Sequence, residues 1–329
     1  MYYFIINPAS RSGRGIKIWH QLEQILIRRK IAYRAILSRY PGHVTRLTAQ
    51  LTDPDRISVQ WKKENLPLKL VILGGDGTIN EALQGIRDFD QVLLGYIPTG
   101  SSNDLARDLG LPKDPALILD RILNCTSPRA VDIGILTYGT PCIRQAGHLT
   151  SSPDSSRYFA VSSGIGFDAA VCERILTSRS KKMLNRLGLG KLTYLAVALR
   201  ELLFARRCCA DLYLDGSDTP IHVERMLFSV FMIRKYEGGG FQFCPMAEDG
   251  DGRLDLCVVG NIPLPVILIA LPTAFWGRHD IFPSIRHYRA SSARLEVSHP
   301  LWVHTDGEVV RQTDSITLSC LPHKIRLLL

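Results

Sequence analysis

The first ~130 residues alternate short apolar runs with helix-periodic stretches, and that alternation leaves little choice of architecture. Strand signals fall at 2–6, 33–37, 68–73 and 92–97. Helical patterns run over 16–28, with apolar residues at 16, 18, 19, 22, 25 and 26, then from Pro41-Gly42 to about 51, and over 78–86. Two short helices follow near 103–109 and 114–123. Leu70-Val71-Ile72-Leu73 is apolar at every position, as a strand buried on both faces requires. The rhythm predicts a parallel sheet with helices on both sides. Ligands in such sheets sit at the carboxyl ends of the strands. Three turns rich in Gly, Pro and Ser fall there, at 7–15, 74–78 and 98–104. Their convergence on one sheet edge is the main structural expectation.

After Asp132 the pattern changes. Residues 136–156 read as a polar hairpin or loop insertion, and helices are expected at 168–177 and 191–205. Strand-like runs follow at 210–215, 221–234, 253–259, 293–298, 301–304, 308–311, 315–319 and 324–328. A length of 329 residues suits two domains. The expectation is an α/β domain over 1–132 and a β-rich, β-sandwich-like domain over 133–329, the last strand packing back on the first domain.

The net charge of +9, from 40 Lys and Arg against 31 Asp and Glu, favours an anionic partner or serves solubility alone. Eight cysteines include no C-x-x-C pair, and no histidine stands at zinc-finger spacing, so the spacing predicts no structural zinc. They are too sparse for a disulfide scaffold, and reduced cytoplasmic thiols are expected. MYYFIINPAS lacks a signal-peptide pattern and reads as the first strand. The most apolar run, LPVILIALPTAFW at 264–276, falls short of the roughly 20 residues a spanning helix needs. It reads as a core helix or as one that touches a membrane surface. Between 178 and 207, eight Lys and Arg and one acid are interleaved with leucines. That mixture suits an anionic bilayer or a plain solvated face.

The familiar phosphate motifs are absent. Asn80 stands where a dinucleotide fingerprint needs its third glycine, and no P-loop lysine pattern occurs. Asp249-Gly-Asp251-Gly lacks the sixth-position glycine and twelfth-position glutamate of an EF-hand. Gly74–Glu81 nevertheless has the strand, glycines and helix start that bind phosphate through free amides. Asp76 is the anomaly there. A carboxylate beside phosphates calls for a bridging cation such as Mg²⁺; otherwise Asp76 caps the helix that starts at Thr78. The turn Ile97–Arg107 repeats the strand-turn-helix form and offers Gly100, Ser101, Ser102, Asn103 and Asp104, or else an N-cap.

Taken in order, INPASRSG (6–13), PGH (41–43), GGDGTINE (74–81), PTGSSNDLAR (98–107), VDIG (131–134), PMAEDGDGRLDL (245–256) and TDGE (305–308) resemble the lipid kinase family of bacterial soluble diacylglycerol kinases and sphingosine kinases. The resemblance covers nearly the whole chain. It implies ATP contacts at Asn7, Pro8, Ala9, Ser10, Arg11 and Ser38, along Gly75, Asp76, Gly77, Thr78, Ile79, Asn80 and Glu81, and at Ser101. Arg11 falls where the family often has glycine. The resemblance also implies Mg²⁺ held by Glu248, Asp251 and the carbonyl of Arg253, with Asp249 the rival to Asp251. Asp-Gly within TDGE is a strong hairpin turn. Phosphoryl transfer to an alcohol needs a group that accepts the hydroxyl proton, and the family assigns this to the glutamate matching Glu308. Asp132 matches another acid near the active site, or is a strand-end residue. His43 reads as a nucleotide neighbour or a helix-start polar residue; His304 has no assigned role.

The implied activity is transfer of the ATP γ-phosphate to a lipid hydroxyl, foremost diacylglycerol to give phosphatidic acid, in the cleft between the domains. The partner is then lipid at an anionic membrane surface rather than nucleic acid, the enzyme being cytoplasmic and transiently membrane-bound. Strand edges in the second domain permit a homodimer. The alternatives are a related NAD kinase, which shares GGDGT, and a non-enzymatic nucleotide- or lipid-binding regulator.

Overall fold

The computed structural model describes residues 1–54, 67–139, 156–177 and 200–329. Most of the basic run at 178–207, and of the helix expected at 191–205, lies outside these residues. The chain divides into two compact units, Met1–Ile133 with Leu321–Leu329, and Gly134–Cys320.

The first unit is built on parallel strands. β1 (Tyr2–Ile6) lies between β2 (Tyr33–Leu37) and β3 (Leu68–Gly74), and β4 (Val92–Pro98) pairs with β3. Among the described residues its helices are α1 (Ser10–Arg28), α2 (His43–Leu51), α3 (Asp76–Gly85), α4 (Asp104–Asp108) and α5 (Pro115–Asn124). Phe4, Ile5 and Ile6 are all fully buried, so neighbouring residues that point to opposite faces both meet core. On one face Phe4, Ile6, Val71 and Ile97 pack against Trp19, Leu22 and Leu26 of α1 and Ile118, Leu119 and Ile122 of α5. α2 and α3 pack together where a Cβ on Gly85 would collide with the Thr45 carbonyl.

The second unit is β-rich. β5 (Arg129–Tyr138) enters it and pairs with β6 (Ser156–Phe159). Then come β7 (Ser162–Gly166), α6 (Phe167–Thr177), β8 (Cys208–Leu214), β9 (Ile221–Met226), β10 (Phe228–Met232), β11 (Leu254–Val259), α7 (Leu264–Thr273) and β12 (Ile285–Ala290). β13 (Ser292–Thr305) and β14 (Glu308–Leu327) close the chain. The antiparallel order β12-β11-β10-β7-β13-β14 has both faces of its centre buried. Leu254, Leu256 and Val258 of β11 face one cluster with Phe231, Leu295 and Val303. Cys257 and Val259 face another, with Ile267 and Ala270 of α7.

Several expected strand boundaries differ. The runs at 293–298 and 301–304 are one strand whose register shifts between Glu296 and Leu301. Pro300, which has no N–H to give the ladder, lies in that gap. The runs at 308–311, 315–319 and 324–328 merge into β14, whereas 221–234 divides into β9 and β10. The end of β14 pairs parallel with β4, at Arg326↔Leu93 and Leu327↔Leu94.

Candidate active-site elements

The three glycine-rich turns of the first unit are stitched together by side chains. Asn7 Nδ2 donates to Thr78 Oγ1 at 3.0 Å, its Oδ1 accepts the Ala9 amide at 3.1 Å, and Ser10 Oγ lies 2.7 Å from Thr99 Oγ1. Gly75 and Gly100 approach so closely that a Cβ on Gly100 would fall 2.7 Å from the Gly75 Cα. Ser38 joins them, its amide donating to the Ile6 carbonyl at the end of β1. Residues 7–10, 38, 75–78 and 99–103 thus form one backbone-lined shelf on the carboxyl ends of the strands.

Two capping readings fail. α3 begins at Asp76, its N-cap Gly75 offers no side chain, and Asp76 Oδ2 instead accepts the Asn103 amide of the third turn at 2.7 Å. Asn103 is left-handed at φ 52° and caps nothing; its amide group clasps Gly100 N and O at 2.9 and 3.1 Å. Ser101 is exposed beside it. In the first turn Arg11, Ser12 and Gly13 are all left-handed, at φ 45°, 58° and 90°. Such conformations in non-glycine residues cost about 1–2 kcal/mol each and gather at ligand sites.

Glu81 is placed differently from its neighbours. Its carboxylate accepts Gly42 N and Val44 N at 2.9 and 3.2 Å, so it caps α2 and anchors the PGH turn. His43 Nδ1 accepts the Arg39 amide and its ring stacks on Tyr40. Asn80 is fully buried. Asp132 is also fully buried, within β5, where it accepts the His323 amide at 2.7 Å. His323 has φ 51°, so Asp132 holds a kink in β14, and it does so from within β5 rather than from a strand end.

In the second unit TDGE is a two-residue hairpin joining β13 to β14. Asp306 and Gly307 have φ 50° and 81°, as a type I′ turn requires, and Thr305 pairs with Glu308. Asp306 latches this turn to the segment before β7, accepting Ala160 N, Val161 N and Ser162 N at 2.9, 2.8 and 3.1 Å. Beneath lies His304, fully buried, with Nε2 2.5 Å from Asp168 and 3.2 Å from Glu237. Burial disfavours charge on this ring, but Asp168, Glu237 and Asp306 outweigh it and carry His304 up to about 9. The Gly307 amide, 3.2 Å from Nδ1, favours a lone pair there. A charge pair at about 4 Å is worth about 4 kcal/mol at an effective dielectric near 20, against about 1 for a neutral hydrogen bond, so the carboxylates prevail. Sequence reading missed Asp168, Glu237 and the latch formed by Asp306.

The acids of AEDGDGRLDL separate into two environments. Asp249 pairs with the buried Arg234, which also donates to Ala160 O. Asp251 accepts its own turn amide, Arg253 N, at 2.9 Å and pairs with Arg289, which also lies 3.7 Å from Asp255. Asp255 is raised chiefly by burial, against Arg289, with Asp251 and Glu248 adding to the rise. Glu248, Asp251 and Asp255 therefore share one field. Asp255 Oδ2 is buried there without a hydrogen bond. Oxygen donors of this kind are the type that Mg²⁺ takes.

α7 and the turn after it leave large apolar side chains in the open. Ile269 is 64% exposed, Trp276 and Ile281 are 70% exposed, and Leu268 and Phe275 are also exposed. Among the described residues no helix is long and apolar enough to cross a membrane.

Residues 1–136 match the family model described as diacylglycerol kinase catalytic domain, and residues 160–329 match the YegS C-terminal NAD kinase beta sandwich-like domain. The YtlR protein of Bacillus subtilis (strain 168) is 23% identical over 99% of this chain and 98% of its own. A diacylglycerol kinase of Mycobacterium tuberculosis (strain H37Rv) is 29% identical over 73% of this chain and 70% of its own. A solved diacylglycerol kinase structure from Bacillus anthracis (strain Sterne) superposes with a TM-score of 0.65 at 17% identity, over 99% and 96% of the two chains.

Proposed function

The chain belongs to the diacylglycerol kinase and YegS-like family of lipid kinases, and within that family we propose that it transfers the γ-phosphoryl group of ATP to the free hydroxyl of diacylglycerol, giving phosphatidic acid. The observation that carries the nucleotide half of this reading is the shelf of stitched turns. Glycines at 75 and 100 let backbone approach backbone, and the amides opening α3 offer donors and a positive helix end to phosphates. Asp76 faces this shelf from a position fixed by the Asn103 amide. Glu308, half-buried beside the rigid I′ turn, is the group we assign to accept the hydroxyl proton.

Glu248, Asp251 and the Arg253 carbonyl would hold Mg²⁺, with Asp255 as a further acid beside them. When bound, the ion neutralises charge on the phosphates. The exposed apolar face of α7 supports transient docking on a lipid surface, where the substrate resides. The relatives named diacylglycerol kinase support the choice of acceptor.

A lipid panel assayed with labelled ATP and Mg²⁺ tests the proposal. Diacylglycerol should be the best acceptor, and NAD should accept no phosphate. Asp76→Ala and Glu308→Gln should each lower kcat by at least about 10²-fold, as removal of a general base does, while leaving the fold intact by circular dichroism. Wild-type rates in either variant remove that residue from the mechanism, and preference for another acceptor removes diacylglycerol.

A further inference from the structure

Cys257, His279 and His287 are far from any zinc-finger spacing, yet they meet in the second unit. Cys257 and His287 are direct cross-strand partners in the β11–β12 register, so their side chains share a face. His279 arrives from the short helical turn His279–Ile281 after α7. One ring nitrogen of each histidine and Cys257 Sγ all lie within 4.8 Å of one another. Cys257 Sγ is 3.8 Å from His279 Nε2, against about 3.6 Å between sulfur and nitrogen around tetrahedral zinc. Both Nε2 atoms also converge on one acceptor, the Phe243 carbonyl, at 3.0 and 2.9 Å. His279 Nδ1 is buried with no hydrogen bond. The kinase mechanism uses none of these groups.

We propose that Cys257, His279 and His287 form a binding site for a borderline-soft divalent cation, foremost Zn²⁺, with the Phe243 carbonyl available as a fourth donor. A sulfur and two imidazoles select Zn²⁺ over Mg²⁺, which prefers the oxygens of Glu248 and Asp251. Burial, reinforced by His287, lowers His279 and keeps its ring in the neutral, ligating form. Burial raises Cys257, so the apo thiol keeps its proton. Binding then breaks one S–H bond, forms one S–metal bond and releases one proton to solvent. The ion fastens the turn that follows the exposed segment of α7 onto β11 and β12.

Co²⁺ is the spectroscopic probe. The chelator-treated full chain, in excess Mg²⁺ to occupy the carboxylates, is titrated with Co²⁺ and then Zn²⁺. One equivalent of Co²⁺ should give a thiolate charge-transfer band and tetrahedral ligand-field bands, and Zn²⁺ should abolish both. Cys257→Ser should lose the charge-transfer band, whereas Cys209→Ser, at an exposed site, should keep it. His287 is exposed, so His287→Gln tests the site without disturbing the core; affinity should fall about 10–100-fold or more. Absence of the charge-transfer band in the wild-type chain, or equal Co²⁺ affinity in His287→Gln, overturns the proposal. Neither result bears on the kinase assay, which needs only ATP, Mg²⁺ and lipid.

Discussion

His304 shows how much a single buried side chain can organise. It stands on Asp168 and Glu237 with one edge and on the Gly307 amide with the other, directly under the hairpin that carries Glu308. Its folded value of about 9 lies above the ordinary 6.5, so the charged ring's contribution to stability is complete below pH ~6.5. That contribution fades as pH rises through about 9. Urea denaturation should therefore show wild type losing stability over this window, and His304→Gln losing less. Equal losses in the two proteins would show that His304 does not titrate there. The tetrapeptide TDGE announces the turn because Asp-Gly favours positive φ at both positions. It says nothing of His304, whose partner Asp168 is 136 positions away. Local spacing reports backbone conformation; it carries no trace of a pairing made across a sheet.

At the scale of elements, the first turn is where this chain departs from a glycine-rich pattern. Arg11 occupies a left-handed conformation that glycine adopts freely. Arg11→Gly should remove that strain and, set against the backbone entropy glycine adds, stabilise the protein by up to about 1 kcal/mol in urea denaturation. Marked destabilisation would mean that the arginine side chain anchors the turn. The parallel strands and their helices are legible from periodicity because each is buried on two faces or along one stripe. The strands of the second unit are less so. β12, with the sequence IRHYRA, carries three charged or titrating residues on exposed positions, and Pro300 interrupts an otherwise continuous β13.

At the scale of the whole molecule, residues far apart in sequence complete the first unit. Leu321–Leu329 belongs with Met1–Ile133, pairs with β4, and is held by Asp132 through the His323 amide. Deleting 321–329 should uncover the β4 edge and leave the Asp132 carboxylate buried without that donor. Losing that hydrogen bond to a buried carboxylate costs about 1.5–3 kcal/mol, so the first unit should become protease-sensitive before the second. Equal protection in both units would contradict this.

The amino-acid sequence by itself determined the α/β character of the first unit, its strand-end glycine turns and the Asp-Gly hairpin. Each is a local consequence of apolar period or allowed φ, so neighbours in the chain suffice to specify it. Only the tertiary structure decided which polar groups meet. It sent Glu81 to cap α2, Asp76 to the Asn103 amide, Asp249 to Arg234 and Asp251 toward Asp255. It also set Cys257 opposite His287 and brought His279 beside them. These partners come from distant elements, and sheet register, which no local pattern encodes, chooses among them.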